Sequence, residues 1–155
     1  MRGFKKISIR QYILDCGTPD KYEVIQLPKR ATKYSAGYDI CTPNGFTINP
    51  GQTCKVATGL RAIMNEDEVL VVHIRSSIGA KSGIRISNCT GIIDSDYCLG
   101  SNEGHIWLFL RNDSDKKFIA NSGDRIAQGV FQKYLVVDDD DADAERNGGV
   151  GSTGK

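Results

Sequence analysis

The chain has 155 residues, a length at which a single domain is expected. It has 20 Lys and Arg against 19 Asp and Glu, a formal net charge of +1 at pH 7, and this balance does not indicate nucleic acid or a membrane as a partner. No apolar stretch approaches the ~20 residues needed to span a bilayer, and no signal peptide is apparent, so we expect a cytoplasmic protein, or one of the host cytoplasm if the source is viral. The five cysteines are scattered without a Cys-x-x-Cys pair, which argues against a disulfide framework or a zinc site.

Short extended segments separated by turn residues predict a β-rich fold. The first strands are expected at 4–14 and 22–27, the second ending at Pro28. Later ones follow at 38–41, 46–48, 53–57, 69–74, 106–110 and 123–134. One short helix fits the pattern, around Ile78–Ser82. Strands spaced in this way are typical of a sandwich, a jelly roll or a small barrel.

The last eighteen residues differ from the rest in composition. Residues 138–143 form an acidic run that repels itself, and 146–155 are rich in glycine. We therefore expect a β domain over 1–137, followed over 138–155 by a solvated linker and an arm that becomes ordered when it meets a ligand.

The segment 86–97 carries an unusual concentration of chemical groups. Two apolar residues run directly into Asp94, so its carboxylate would lie at the end of a strand, where a general base can be held still. Asn88 offers an amide and Tyr97 an aromatic face, both suited to a nucleoside. Taken alone, the segment is better explained as a tight hairpin, because Asn, Gly, Ser and Asp all favour turns.

Two further segments offer groups for an anionic substrate. Arg75, Ser76 and Ser77 follow the strongest apolar run, although a surface turn explains them when they are considered alone. The tail combines Arg146 with hydroxyl groups among glycines, although such tails are often simply disordered. Together with Asp94, these segments contain the parts of a phosphoester hydrolase, namely cations, hydroxyls, a carboxylate and an arm that can close.

Five segments in order resemble the five motifs of the trimeric deoxyuridine triphosphatases. They are Ser35-Ala36-Gly37-Tyr38-Asp39, Arg75-Ser76-Ser77 with Gly83-Ile84, Gly91 to Tyr97, Gly123-Asp124-Arg125-Ile126-Ala127-Gln128, and Gly148 to Gly154. The similarity extends from about residue 27 to the C-terminus, and five ordered motifs are much more specific than one.

The resemblance implies an all-β, jelly-roll-like fold and a homotrimer with three shared active sites. It also implies hydrolysis of dUTP to dUMP and pyrophosphate with Mg²⁺. Asp94 matches the base that orients water for attack at the α-phosphorus. Tyr97 matches the residue under the deoxyribose that leaves no room for a 2′-hydroxyl, and Asn88 with the backbone of Gly91, Ile92 and Ile93 matches the uracil-reading hairpin.

The same resemblance assigns the phosphate side. Arg75, Ser76, Ser77 and Gln128 match groups that position phosphate and water, with Gln128 among the catalytic residues. Asp39 matches a carboxylate that reaches the metal only through water, so no direct protein ligand to Mg²⁺ is expected. The tail motif that closes over a neighbouring subunit's substrate corresponds to Arg146, Val150, Gly151, Ser152 and Thr153.

Two features depart from the family pattern. Val150 stands where the tail commonly has a uracil-stacking Phe, although some Gram-positive and phage-type members have an aliphatic residue there. Residues 98–103 look like an insertion after Tyr97. Beyond it, Trp107 falls near a substrate-contact position, while a lone Trp in an apolar strand also fits a core residue.

Two alternatives remain open at the level of sequence. A dCTP deaminase shares the expected fold, but no additional acidic residue is found near Arg75 or the fourth motif to act in deamination. A nucleotide-gated regulatory protein on the same fold would bind a protein partner, and the insertion at 98–103 is the feature that would serve it.

Overall fold

In a computed structural model, which describes residues 1–16, 18–146 and 148, short strands make up most of the regular structure. The strands are β1 (Gly3–Lys6), β2 (Lys29–Arg30), β3 (Tyr38–Cys41), β4 (Phe46–Ile48), β5 (Thr53–Ala57), β6 (Leu60–Ile63), β7 (Glu68–Ile74), β8 (Ile84–Ile86), β9 (Gly91–Asp94), β10 (Trp107–Asn112), β11 (Phe118–Ala120) and β12 (Arg125–Lys133). The all-β class predicted from the sequence is confirmed.

Helices are few and short. The described residues form two α-helices, α1 (Ile9–Cys16) and α2 (Ser76–Ser82), and two 3₁₀ helices, Pro19–Lys21 and Ser95–Leu99. The helix predicted around 78–82 is confirmed as part of α2. No helix in this part of the chain is long and apolar enough to cross a membrane.

The strands form four antiparallel sheets around one core. The largest has the order β2-β3-β12-β7-β9, and a second has the order β5-β10-β8. Two pairs, β1-β6 and β11-β4, complete the arrangement. Side chains of β10 alternate between buried and half-buried, as period-2 patterning requires, and β7 is buried along most of its length. Residues from both larger sheets, including Leu70, Leu108 and Leu110, belong to the same hydrophobic cluster.

The prediction of a strand over 4–14 is wrong beyond Lys6, because the second half of this segment forms the helix α1. Ser8 Oγ accepts a hydrogen bond from the N–H of Gln11 at 3.1 Å, as an N-cap does. Tyr12 is completely buried and its hydroxyl accepts a bond from Asn44. The helix thus depends on contacts with distant residues, which the local alternation of apolar residues does not reveal.

The strand expected over 22–27 is also absent, since this segment forms turns and irregular backbone. Ile25 is its buried anchor, whereas Val24 and Leu27 are each 47% exposed. The segment therefore packs through Ile25 and the half-buried Tyr22 and does not add a strand to a sheet.

The hairpin interpretation of 86–97 needs a correction. β8 pairs with β10, whereas β9 pairs with β7, so the turn at 87–90 connects two different sheets. The prediction that Asp94 ends a strand is confirmed, because Asp94 is the last residue of β9.

Candidate active site

Asp39 on β3 brings two guanidinium groups together at one end of the largest sheet. Its Oδ1 lies 2.9 Å from Nε of Arg75, and its Oδ2 accepts a hydrogen bond from Nη1 of Arg125, also at 2.9 Å. Asp39 is only 12% exposed, which makes this a fixed arrangement. Two cations share one carboxylate, so the cluster retains positive charge for an anionic ligand.

Gln128 on β12 lies beside this cluster. It stands opposite Asp39 on β3 and opposite His73 on β7. A Cβ atom added to Gly37 would lie 2.4 Å from Oε1 of Gln128, so only glycine leaves room for this amide. The sequence motif around Gly37 therefore has a physical basis.

Ser76 and Ser77 begin α2 directly after Arg75, and both are exposed. The first N–H groups of a helix have no intrahelical partner, so backbone and hydroxyl donors occur together here. The four residues predicted for the phosphate side, Arg75, Ser76, Ser77 and Gln128, thus belong to one region of the molecule.

Asp94 lies elsewhere, at the open end of β9. Its side chain is 53% exposed, and its Oδ2 accepts a bond of 2.5 Å from Nη2 of Arg146. Nε of the same arginine donates to Oδ1 of Asp96 at 2.8 Å. The Arg146 side chain is 10% exposed and bridges two carboxylates that are themselves about half exposed.

A small cavity of about 120 Å³ lies beside β9. Its lining residues are Val72, Ile86, Asn88, Gly91, Ile92, Ile93, Ile106, Trp107, Leu108 and Phe109. The residues predicted to read a base therefore share one cavity with Trp107. The turn beside it is strained, because Cys89 has a φ of +69°.

Tyr97 is 6% exposed, and its hydroxyl donates to the carbonyl of His105 at 2.9 Å. The guanidinium of Arg146 lies 5.7 Å from the ring centre. Burial raises the pKa of Tyr97, so the phenol stays neutral and remains a donor. The sugar-contact role predicted for this ring stays a prediction.

The two groups of residues lie far apart on the sheet. Gln128 is opposite His73, whereas Asp94 is opposite Val69. At about 3.3 Å per residue, four residues along β7 separate these rows by about 13 Å. Arg75 lies beyond the far end of β7, so its separation from Asp94 is larger still.

The sequence did not reveal several charged partners. Arg125 and Asp96 lie inside two of the five motifs, but the sequence alone does not indicate what either side chain binds. Their partners are Asp39 and Arg146, which are 86 and 50 positions away in the sequence. No local pattern could indicate such pairs. The predicted residues Val150, Gly151, Ser152 and Thr153 lie outside the described residues.

Within the described ranges, no group of three or more His, Cys, Asp or Glu side chains could hold a metal ion. Asp39 is the carboxylate nearest to the phosphate-side groups, and both of its oxygens already contact arginines. A cation at this site would therefore need most of its ligands from a bound anion and from water.

Comparisons with known proteins give a consistent result. A family model described as dUTPase matches residues 23–154. The deoxyuridine 5'-triphosphate nucleotidohydrolase of Lactococcus lactis subsp. lactis is 43% identical over 133 residues, covering 84% of this chain and 89% of the relative. The protein of the same name from Histophilus somni is 37% identical over 159 residues, covering 97% and 99%.

Solved structures show the same similarity. The dUTPase from Streptococcus mutans has a TM-score of 0.73 at 37% identity, covering 88% of this chain and 99% of that one. A mutant dUTPase from phage phi11 of S. aureus, which coordinates a structural Mg(II) ion, has a TM-score of 0.71 at 18% identity. The match covers 93% of this chain and 97% of the phage chain. At this identity the similarity concerns the fold alone.

Proposed function

The chain belongs to the dUTPase family and is a hydrolase of dUTP, and we propose that it forms dUMP and pyrophosphate with Asp94 as the general base. The single observation that carries this mechanism is the position of Asp94 at the end of β9, directly after Gly91, Ile92 and Ile93, which line the small cavity. A water molecule held by this carboxylate would attack the α-phosphorus. The proton of that water passes to Asp94, and pyrophosphate leaves.

The base-reading role rests on the 120 Å³ cavity. The backbone of Gly91, Ile92 and Ile93 and the amide of Asn88 would supply donors and acceptors to the edge of uracil. The half-buried Trp107 contributes an aromatic wall to the same cavity. A site that is built on fixed backbone groups discriminates well, because a wrong base leaves buried polar groups without partners.

The sugar would meet Tyr97. Its hydroxyl is engaged with His105 and Asn102, so the ring has little freedom to move away. A fixed ring under the sugar would leave no space for a 2′-hydroxyl and would thereby exclude ribonucleotides.

The triphosphate would be held by Arg75, Ser76 and Ser77, while Gln128 would help to position the attacking water. The residues here suit Mg²⁺ only through its hydration shell, because both oxygens of Asp39 already contact guanidinium groups. When bound with the substrate, Mg²⁺ would neutralise part of the phosphate charge.

A site shared between chains follows from the separation along β7. A general base and a water-positioning amide must both be within hydrogen-bond reach of the same water. The backbone rows that carry Asp94 and Gln128 are about 13 Å apart along the strand direction, which supports a site in which these two side chains come from different chains. We propose a homotrimer in which each site combines residues of different chains.

The C-terminal arm would complete the site. Arg146, within the described portion of this arm, already binds the carboxylates of Asp94 and Asp96. A triphosphate carries several negative charges and can pair with a guanidinium as a carboxylate does, so a bound triphosphate would compete with Asp94 and Asp96 for Arg146. Val150, Gly151, Ser152 and Thr153 would then close over the substrate.

The decisive experiment is a panel of dUTP, dTTP, dCTP and UTP incubated with Mg²⁺, in which pyrophosphate and ammonia are both measured. We expect pyrophosphate from dUTP and no ammonia from dCTP. Ammonia release from dCTP would instead identify a deaminase.

The role of Asp94 is tested by the variant Asp94→Asn. It should lower kcat by about 10²- to 10⁴-fold, the usual contribution of a general base, while nucleotide binding measured by calorimetry remains. Asp113→Asn is a suitable control, since Asp113 is similarly exposed at 43% and pairs with Arg85 and Arg111. Equal turnover in wild type and Asp94→Asn would exclude Asp94 as the base.

A further inference from the structure

The residues that follow Tyr97, 98–105, form a segment that we call the anchor loop, and it is attached to the beginning of α1. Glu103 accepts hydrogen bonds from the backbone N–H of Ser8 at 2.8 Å and from its Oγ at 2.6 Å. Ser8 is also the residue whose hydroxyl caps α1 through Gln11. These bonds lower the pKa of Glu103 and keep it ionised at the helix N-terminus, where negative charge is favoured.

The other end of α1 contacts the same loop. Oδ2 of Asp15 lies 2.5 Å from Nδ1 of His105, whose side chain is fully buried. The N–H of Gly59 donates to Nε2 of His105 at 2.9 Å, so the ring proton is on Nδ1 and is donated to Asp15. Burial lowers the pKa of His105, which keeps the ring neutral in this arrangement.

The anchor loop holds the hydroxyl of Tyr97 directly. The carbonyl of His105 accepts its proton at 2.9 Å, and Nδ2 of Asn102 donates to the same oxygen at 3.1 Å. Any movement of the loop backbone would therefore move the phenol.

The anchor loop also has a constrained backbone. Glu103 has a φ of +57°, a left-handed conformation that is uncommon for residues other than glycine. Gly104 follows with a φ of +72°, and a Cβ at that position would lie 2.5 Å from Cα of Cys98. Such a conformation persists only where the surroundings enforce it, and Ser8 and Asp15 are two of the groups that do so here.

We propose that Ser8, Asp15 and Glu103 are positioning residues for Tyr97, and that α1 thereby helps to select deoxyribose over ribose. This inference rests on the proposed function, and in particular on the sugar contact of Tyr97. None of the three residues needs to touch the nucleotide. They act by keeping the loop, and with it the ring, too close to the sugar for a 2′-hydroxyl to enter.

A purely structural role would give a different result from a positioning role. If these contacts only stabilised the fold, their loss would lower Tm and reduce turnover of dUTP and UTP equally. If they position Tyr97, their loss would specifically raise kcat/KM for UTP relative to dUTP.

The test compares Ser8→Ala and Asp15→Ala with two controls, Ser122→Ala and Asp113→Ala; alanine is used at position 15 because asparagine would still accept the proton of His105. Ser122 donates to the carbonyl of Pro43 at 2.7 Å, which matches Ser8 as a buttressing hydroxyl at an unrelated turn. We expect the ratio of kcat/KM for dUTP over UTP to fall by about tenfold in the first pair and to be unchanged in the controls. Ser8→Thr retains the hydroxyl and should restore the ratio.

Glu103→Gln is a milder variant if Asp15→Ala does not fold, because its amide oxygen can still accept one bond from Ser8. An unchanged dUTP/UTP ratio in the folded variants would overturn the positioning role. That outcome differs from failure of the proposed function, in which the wild-type protein itself would release no pyrophosphate from dUTP.

Discussion

At the scale of single residues, the absence of a side chain at Gly37 determines where the amide of Gln128 can lie. Gln128 is half-buried on the central strand β12, and its Oε1 occupies the space that a side chain at position 37 would take. The obstructing atom is the end of a flexible side chain, so the fold can adapt to a larger residue. The amide of Gln128, however, would have to leave its present position.

Gly37→Ala should therefore separate activity from stability. We expect kcat for dUTP to fall by roughly tenfold or more, because a displacement of about 1 Å in a positioning group can be this costly. Unfolding free energy should change by less than about 1 kcal/mol. Steady-state kinetics and thermal unfolding provide the two measurements.

Gly3→Ala is the control for this experiment, since a Cβ at Gly3 would meet no atom within 4 Å. Unchanged kcat in Gly37→Ala would mean that the amide of Gln128 does not need its present position.

At the scale of elements, an ion pair joins the N-terminal strand to the central sheet. Arg2, next to β1, pairs with Glu68, the first residue of β7, and Glu68 also accepts a bond from the N–H of Asn65 at 3.0 Å. The Glu68 side chain is only 1% exposed. Its hydrogen bond to Arg2 is the main reason that its pKa is lowered from 4.5 to about 2.

This shift predicts a pH dependence of stability. Between the two pKa values the unfolded chain binds more protons than the folded one, so stability is lost as pH falls from about 4.5 towards about 2. Above that window the contribution is fully present. Chemical denaturation of wild type and Glu68→Gln between pH 6 and pH 2.5 (about one unit steps) measures it.

The Glu68→Gln variant has no ionisable group at this position in either state. Its stability should consequently fall less steeply over the same window. Parallel curves for the two proteins would show that Glu68 does not carry this pH dependence.

The elements also show which parts of the fold could be predicted from sequence. Strands such as β7 and β10 follow from local apolar patterns and turn residues, and both were predicted close to their observed bounds. The helix α1 depends on Glu103, which caps its start from 95 positions away. The sequence does not predict α1 because the helical conformation of this short segment depends on contacts with residues that are distant in the chain.

The same distinction applies to the candidate site. Residues such as Asp94 and Gln128 were identified because they lie in motifs with a recognisable order. Their spatial arrangement could not be identified in this way. The pair of Arg125 with Asp39 and the pair of His105 with Asp15 form only when the chain folds. Chemistry can be inferred from residue types and spacing, whereas electrostatic pairing requires the fold.

At the scale of the whole molecule, the sheet divides the proposed machinery into two halves. The phosphate-side residues gather at one end of β7, and Asp94 lies opposite its other end. A single chain thus contains every described part, but the backbone rows of the two halves lie about 13 Å apart along the strand direction. Association of identical chains would unite them, with a residue from one chain completing the site of another.

This arrangement predicts complementation between two inactive variants, Asp94→Asn and Gln128→Ala. In a random mixture of the two chains, about a quarter of the shared sites would combine an intact Asp94 from one chain with an intact Gln128 from another. Co-expressed and purified together, the variants should therefore recover about a quarter of wild-type activity, whereas each alone should remain inactive. The double variant, with both changes in every chain, is the control that must stay inactive. Absence of recovered activity in assemblies that are verified to contain both chains would mean that each site is built within one chain.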